Sequence, residues 1–432
     1  MRRRIEDYAV VRGFLERVCR QVGANSMHDD IREELLGHIE ERAEALISAG
    51  STEEEAIGEA VRQMGEPEGI GRHFHAAHRP VTDWKLIILV MLFALLGVFA
   101  SINASYSEHM YSGIYAYKAV YLGLGFMVFV MLCFADYQRL RKYSSTLFLV
   151  TLSIMAWIGI TGGTTVNGSG LYVNFGPVSI NYHMVALPVL LIALAGLSLE
   201  HKQGIIKSVL HGMYRGALPV VLFCLGGSYA FAVLYVLGFL LLTWIMTRSG
   251  RILAIASMPV VAACAIAFWI NGDYILKRLS GFLYPDSLDG YFTKVSAEAV
   301  RTAGWFGHGF AEPNAALPNI LNDSAFVYLI YCFGWSFGMM LMMLVGLFLA
   351  RMWRIAVSLK ESYAHHLAAV VIYVLGIRLI WPILMGLGLV PALGLDLPFL
   401  SFSGANQVLD LALLGLLVSM YRRKNMLPAR VV

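Results

Sequence analysis

From Trp84 onward the chain alternates between apolar runs of about twenty residues and short polar breaks, and about twenty apolar residues are what a helix needs to cross a bilayer. The runs fall at about 84–103, 116–135, 144–162, 184–199, 208–225, 229–247, 252–270, 324–350, 366–387 and 404–421. This pattern predicts an all-α polytopic membrane protein with about ten transmembrane helices. The fifth run is the weakest, because His211, Tyr214 and Arg215 stand in its first half. Before Trp84 the pattern changes. Ile31, Leu35, Ile39, Ala43 and Leu46 recur at helical spacing among charged residues, and Ile57, Ala60, Val61 and Met64 make a second such face. Ser51 with Glu54 fits a capping box opening the second helix, and Gly65 then Pro67 close it. Residues 1–82 are therefore expected to form a small helical cytoplasmic domain, and residues 83–432 the transmembrane domain.

One long polar stretch interrupts the membrane part, Asn271–Asp323. Loops of this length between spans are usually functional or disordered. Aromatic residues, glycines and charges of both signs favour order here. The stretch ends on Asp323, a carboxylate at the mouth of the next span. An acid in that place suits chemistry, and it equally suits a helix N-cap; the local sequence leaves both open. Pro382, Pro391 and Pro398, with Gly386, Gly388 and Gly394, break up the ninth run and the segment after it. Broken backbone at membrane depth must lie against protein or line a water-filled cavity. This region is expected to wall a cavity close to Asp323.

Composition agrees: 58% of residues are hydrophobic and 14% charged. The net charge of +4 is no argument for nucleic acid, because basic residues in a membrane protein sort with its orientation. Arg139, Arg141 and Lys142 share one short break, and His201, Lys202 and Lys207 another. Arg248 with Arg251, Arg351 with Arg354 and Lys360, and Arg422 with Arg423 and Lys424 mark three more. All lie on one side if the chain crosses ten times, and that side is then cytoplasmic, with both termini. Segments 163–183, 271–323 and 388–403 then face outward, the second as a large extracellular loop. MRRRIEDYAVVRGFLERVCRQ has no apolar core of a cleaved signal. The five cysteines are scattered, and the histidines near the N-terminus (His28, His38, His73, His75, His78) lack a compact ligand pattern. No inverted repeat relates the two halves, which counts against a transporter.

Two charges stand inside apolar runs. A lone charge at mid-span costs at least about 2.5–3.5 kcal/mol. Arg378 stands eight residues before Gly386, and Asp410 six residues after Gly404. At 1.5 Å per residue they lie about 12 Å and about 9 Å below the same surface. Spans joined by a short loop pack together, so an ion pair is expected.

In this order, several motifs resemble the SEDS family, the FtsW, RodA and SpoVE group of bacterial cell-wall glycan polymerases. VNGSGLYVNFGPVSI at 166–180 is similar to the family's outward loop after the third span. Asp273-Tyr274, Arg278, Phe282, Pro285 and Tyr291, then Gly304, Gly307 and Gly309, follow its large-loop pattern. LPNILNDSAF at 317–326 stands at the family's Leu-Pro-Glu and Thr-Asp-Phe segment, and GLVPALGLDLPFLSFSGAN at 388–406 at its most recognisable signature. LGLLVSMYRR at 414–423 closes the last span in family style. IREELLGHIEE, TEEEAI and MGEPEGI make residues 1–82 resemble the helical prefix of some bacterial permeases.

The resemblance implies polymerisation of lipid II outside the cytoplasmic membrane, in division, cell shape or sporulation, with undecaprenyl pyrophosphate leaving. Asp323 matches the family's catalytic acid. Its implied role is general base toward the acceptor sugar hydroxyl. Arg278, Lys294 and Arg301 are the loop cations nearest for a pyrophosphate, with Arg378 a further one if it is unpaired. Ser401 is assigned to substrate. Asp410, Pro391, Pro398 and Gly404 are assigned to structure. No cofactor is implied beyond a divalent cation, which stays open. The implied partners are membrane lipids and a single-span class B transpeptidase. The chain also departs from the family. Its Glu is Asn319 here and the Thr before the acid is Asn322. The later acidic pair is Tyr331-Cys332, and the Gln-Pro-Ser-Glu motif is Asn181-Tyr182-His183-Met184. The Gln-Pro-Asp-Leu-Gly turn gives way to the region around Leu225–Tyr229. These losses keep two other readings in view, a SEDS-fold scaffold that no longer catalyses and a lipid-linked precursor transporter.

Overall fold

The computed structural model describes residues 5–23, 28–78, 80–107, 113–161, 164–166, 169–175, 178–197, 199, 204–287, 290–402 and 404–425. The chain forms two compact units. One comprises Met1–Thr82 with Leu359–Glu361 and Tyr421–Val432, the other Asp83–Ser358 with Ser362–Met420.

Among the described residues the first unit holds four helices: α1 (Ala9–Gln21), α2 (His28–Ser48), α3 (Glu53–Met64) and α4 (Pro67–His78). Ile31, Leu35, Ile39 and Ala43 of α2 and Ile57, Ala60 and Val61 of α3 are buried together, as their spacing predicts. Helix α1 supplies Val11, Phe14, Leu15 and Val18 to the same core. The capping box expected at Ser51 and Glu54 is not formed, and Thr52 takes the cap position without a side-chain cap bond. Thr52, in extended conformation, precedes the first turn, and its hydroxyl bonds Glu55 at 2.7 Å. Gly65 closes α3 at φ 93°, and Pro67 opens α4, where its missing N–H costs nothing.

The second unit is a multi-pass membrane body. Its helices are α5 (Trp84–Ser107), α6 (Ile114–Phe134), α7 (Gln138–Thr161), α8 (Tyr182–Gly196), α9 (Ile205–Leu225), α10 (Tyr229–Thr247), α11 (Gly250–Leu283), α12 (Tyr291–Thr302), α13 (Ala325–Val357), α14 (Ser362–Gly386) and α15 (Ala405–Arg422). Among the described residues eight are long and apolar enough to cross a membrane. Each of the ten predicted runs coincides with a helix, but two fall short of that standard. Helix α8 has 15 residues, and α15 carries Asn406, Gln407 and Asp410. At the entry to α5, Asp83 caps Leu86 N–H and receives Arg351 of α13 through two bonds of 2.5 and 3.1 Å. A buried bidentate pair of this kind fixes α5 against α13.

Three local features have specific causes. The segment between α7 and α8 forms a small antiparallel sheet of β1 (Thr164–Val166), β2 (Ser169–Phe175) and β3 (Val178–Asn181), in the order β1-β2-β3. Tyr172 is paired with Thr164 on one side and Asn181 on the other. Helix α9 widens into a π-turn over Gly212–Ala217. Pro219 cannot donate to the Arg215 carbonyl four residues before it, and the Tyr235 hydroxyl donates to that carbonyl instead, at 2.6 Å. Helix α13 breaks at Gly334, whose φ of 81° and ψ of −179° suit glycine alone. Loop backbone meets the break: Trp335 N–H donates to Gly304 and Ser336 N–H to Trp305. These bonds give two amides at the break partners from the loop, in keeping with the need to satisfy backbone at membrane depth.

Candidate functional site

The Asn271–Asp323 segment carries the end of α11 and all of α12. Helix α11 runs past its apolar part, kinks at Asn271 and continues to Leu283; α12 follows, and turns lead to α13. The last turn presents Asp323. Ser324 donates to the Pro318 carbonyl at 2.5 Å, and Asn322 N–H donates to Asn319 O at 3.0 Å. Asn319 takes φ +50°, a conformation asparagine tolerates better than most residues. Its amide then donates to Asp323 Oδ2 at 3.2 Å. The capping reading of Asp323 is not realised. Helix α13 starts at Ala325, Ser324 occupies the cap, and the Asp323 carboxylate faces Asn319.

A second strap holds this turn from below. Phe402 N–H donates to Leu321 O at 2.8 Å. Ser401 Oγ accepts from Leu397 N–H at 3.0 Å and donates to Asn322 O at 3.1 Å. Ser401 is fully buried, so its assignment to substrate gives way to this clamp. Phe399 holds φ +67° within the same 397–402 segment. Two residues of other helices fix that strained turn. Lys118 of α6, fully buried, donates to Leu400 O at 2.8 Å and Ser401 O at 3.1 Å. Gly97 of α5 lets the Phe399 carbonyl approach so closely that an added Cβ would lie 2.0 Å from its oxygen. Sequence reasoning missed Lys118. The available signal was a single lysine inside the apolar run of α6. Pro391 accepts from the Trp381 indole at 3.0 Å, Pro398 accepts from Leu400 N–H at 2.8 Å, and Gly404 starts α15 at φ +44°.

An apolar cavity of about 230 Å³ lies between the ends of α10 and α11 and the 391–393 segment. Tyr229, Val233, Ile275, Leu279 and Leu393 line it, with Arg278 as its cation. Arg278 Nη1 donates to Ala392 O at 3.3 Å, and its guanidinium lies 5.7 Å from the Tyr274 ring centre. Its charge reaches Asp323. Burial pushes the half-buried Asp323 carboxyl up, while the Asn319 bond and the Arg278 charge pull it down, and burial dominates. The other two loop cations stand differently. Lys294 pairs with Asp286 at 2.9 Å, and this bond raises its ammonium. Arg301 is exposed in the last turn of α12.

Arg378 and Asp410 form the expected ion pair, through Arg378 Nη1 and Asp410 Oδ1, at 3% and 0% side-chain exposure. The pairing replaces the substrate role given to Arg378. Asn406 donates to Asp396 Oδ2 at 3.0 Å. Two family departures are filled by neutral contacts: His183 Nδ1 meets Ser228 Oγ at 2.7 Å, and the Asn103 amide meets Cys332 Sγ at 3.4 Å. Among the described residues no group of three His, Cys, Asp or Glu side chains is arranged to hold a metal ion.

A multi-pass helical membrane body defines a class, and comparison with known proteins gives its family. The family described as cell cycle proteins, FtsW/RodA/SpoVE, matches residues 83–426, and the chain belongs to it. The probable peptidoglycan glycosyltransferase FtsW of Geobacter sp. (strain M18) is 23% identical over 365 residues, covering 80% of this chain and 98% of that protein. Stage V sporulation protein E of Bacillus subtilis is 24% identical, covering 79% and 97%. Among solved structures, a peptidoglycan synthase complex described as coordinating polymerization and crosslinking aligns with a TM-score of 0.67 at 24% identity, covering 80% of this chain and 98% of that one. Rod shape determining protein RodA of Thermus thermophilus aligns with a TM-score of 0.59 at 20% identity and the same coverage. Residues 1–82 lie outside the residues that the family matches.

Proposed function

We propose that this chain is a peptidoglycan glycosyltransferase of the bacterial cytoplasmic membrane, polymerising lipid II at the outer face. The carrying observation is the placement of Asp323. It is half-buried, held by Asn319, free of any capping duty, and within the field of Arg278, which itself lines an apolar cavity. The homologues named as glycosyltransferases support the reading. Asp323 takes the proton of the acceptor sugar hydroxyl while that oxygen attacks the donor anomeric carbon. Arg278 faces the negative charge that develops on the departing pyrophosphate, and the apolar cavity beside it suits a polyprenyl chain. A divalent cation has no ligand set among the described residues, and no step is assigned to one.

In this reading ten helices cross, both termini are cytoplasmic, and residues 1–82 form a cytoplasmic prefix domain. The basic breaks support that orientation. A single-span class B transpeptidase is the proposed partner, supported by the resemblance to a complex that couples polymerization to crosslinking. Purified chain in lipid vesicles with labelled lipid II tests the activity. Glycan strands formed by the wild type support it. Their absence, with the protein folded and its partner supplied, returns the chain to the scaffold reading.

A further inference from the structure

The polar segment between α11 and α13 docks residues 304–309 onto the α13 break at Gly334. Trp335 N–H donates to Gly304 O at 3.0 Å and Ser336 N–H to Trp305 O at 3.2 Å. In return, His308 N–H donates to Tyr331 O at 3.0 Å and Gly309 N–H to Cys332 O at 2.9 Å. The two backbones are in contact. A Cβ on Gly307 would lie 2.2 Å from Cys332 O, and one on Gly334 2.3 Å from Trp305 O. This docking fixes the backbone of the loop but leaves two large side chains bare: Trp305 is 64% exposed and Phe306 86%.

Two helices measure the depth of this loop independently. The Asp83–Arg351 pair joins the start of α5 to the far part of α13, with Trp84 exposed beside it. A charged pair next to an exposed tryptophan marks one membrane edge. On α13, the docking residues Tyr331 to Ser336 stand twenty to fifteen residues from Arg351, or about 30–22 Å at 1.5 Å per residue. On α5, Phe99 and Asn103 hold the far end of the loop. Phe310 packs on Phe99 with ring centres 6.2 Å apart, and Ala311 N–H donates to Asn103 Oδ1 at 2.7 Å. These two stand sixteen and twenty residues from Asp83, or about 24 and 30 Å. Direct contacts join the two scales at matching heights: Phe99 to Phe333 at 5.2 Å between ring centres, and the Asn103 amide to Cys332 Sγ at 3.4 Å. The hydrocarbon core of a bilayer is about 30 Å thick. Residues 304–310 therefore lie level with its last ~8 Å, on the Asp323 side.

We propose that Trp305 and Phe306 are a lipid anchor, inserted among the acyl chains of the leaflet on the Asp323 side. At that level an outward side chain meets either lipid or another polypeptide. The flanks favour lipid. Arg301 and Thr302 on one side, and His308 and Glu312 on the other, are exposed. An aromatic tip between polar flanks suits the boundary where acyl chains meet head groups. A protein docked on the same tip would cover those charges as well, and charged groups are depleted at the centre of protein interfaces. The anchor ties to the bilayer the segment that ends on Asp323. Helix α13 starts at Ala325, twenty-six residues from Arg351, or about 39 Å. The acid therefore stands about 9 Å beyond the hydrocarbon edge, at head-group height.

The test uses the full chain in vesicles of phosphatidylethanolamine and phosphatidylglycerol with brominated acyl chains, bromine being a contact quencher of tryptophan. The emission that Trp305→Phe removes from the wild-type spectrum isolates Trp305. Bromine near the head-group end of the chain is expected to quench most of that emission, bromine near the methyl end much less, and iodide in the water little. In cell membranes, Phe306→benzoylphenylalanine is expected to form adducts of lipid mass on illumination. Both substitutions keep an aromatic ring at an exposed position, and melting checks that each variant is folded; each readout decides without the other. Quenching by iodide but not by bromine puts the tip in water and overturns the anchor. Adducts with polypeptide alone, a partner or a second copy, overturn it too. Neither measurement needs lipid II, so failure of polymerisation would refute the polymerase reading and leave the anchor to be decided by these results.

Discussion

Removing one end of the Arg378–Asp410 pair should damage the protein more than removing both. Both side chains are almost wholly buried. Arg378→Gln leaves a bare carboxylate there, and Asp410→Asn a bare guanidinium. Breaking a buried pair at one end costs about 3–5 kcal/mol, whereas replacing the whole pair by neutral groups of similar size is often near neutral. Unfolding entropy of about 2.1 cal/mol/K per residue, taken over roughly 330 residues of membrane unit, converts that loss into a melting shift of about 4–7 °C. The assay is thermal melting of the detergent-purified single and double variants, with abundance in the membrane as a second readout. The account expects each single variant to melt about 4–7 °C lower and the double variant to recover most of the loss. A double variant no better than the worse single one refutes the pairing argument.

Other outcomes follow from the same geometry. Polymerisation should rise with pH along an acid limb above the ordinary Asp value of about 3.9, because Asp323 must be ionised to act and burial raises it. Arg278→Gln removes a charge that pulls this carboxyl down, so a pH–rate profile should show the limb moved further up. Gly97→Ala would put its Cβ 2.0 Å from a backbone oxygen of Phe399; with the 397–402 turn displaced, melting and polymerisation should both fall, while alanine at the uncrowded Gly123 should change neither. A fragment of residues 1–82 should be soluble and helical by circular dichroism, given its own buried core, and a cysteine placed near Glu53 in the full chain should resist labelling from outside the cell.

Apolar run length carried the membrane body, because a helix in lipid must satisfy its backbone internally and therefore shows up as one continuous stretch. Depth counting along two such stretches was enough to join Arg378 to Asp410. What escaped the reading depends on tertiary approach. Lys118 serves two carbonyls some 280 positions away in sequence, 282 and 283 residues on, and nothing local to α6 specifies them. The sheet at 164–181 joins three short strands whose pairing no local pattern specified. The π-turn of α9 could have been inferred from Pro219, but the Tyr235 hydroxyl that compensates it lies on another helix. Asp323 was legible as an acid in the right place; that it leaves the cap to Ser324 was not, since Asp and Ser both favour that position.

The most direct measurement is glycan polymerisation by purified wild type and Asp323→Asn with labelled lipid II in vesicles. Asparagine keeps the size of the side chain and can still bond Asn319, but it cannot take a proton. Loss of a general base typically lowers the rate about a hundred-fold or more. The account predicts glycan strands from the wild type and a drop of that size in a folded variant of unchanged melting temperature. Equal polymerisation by the two proteins would contradict it.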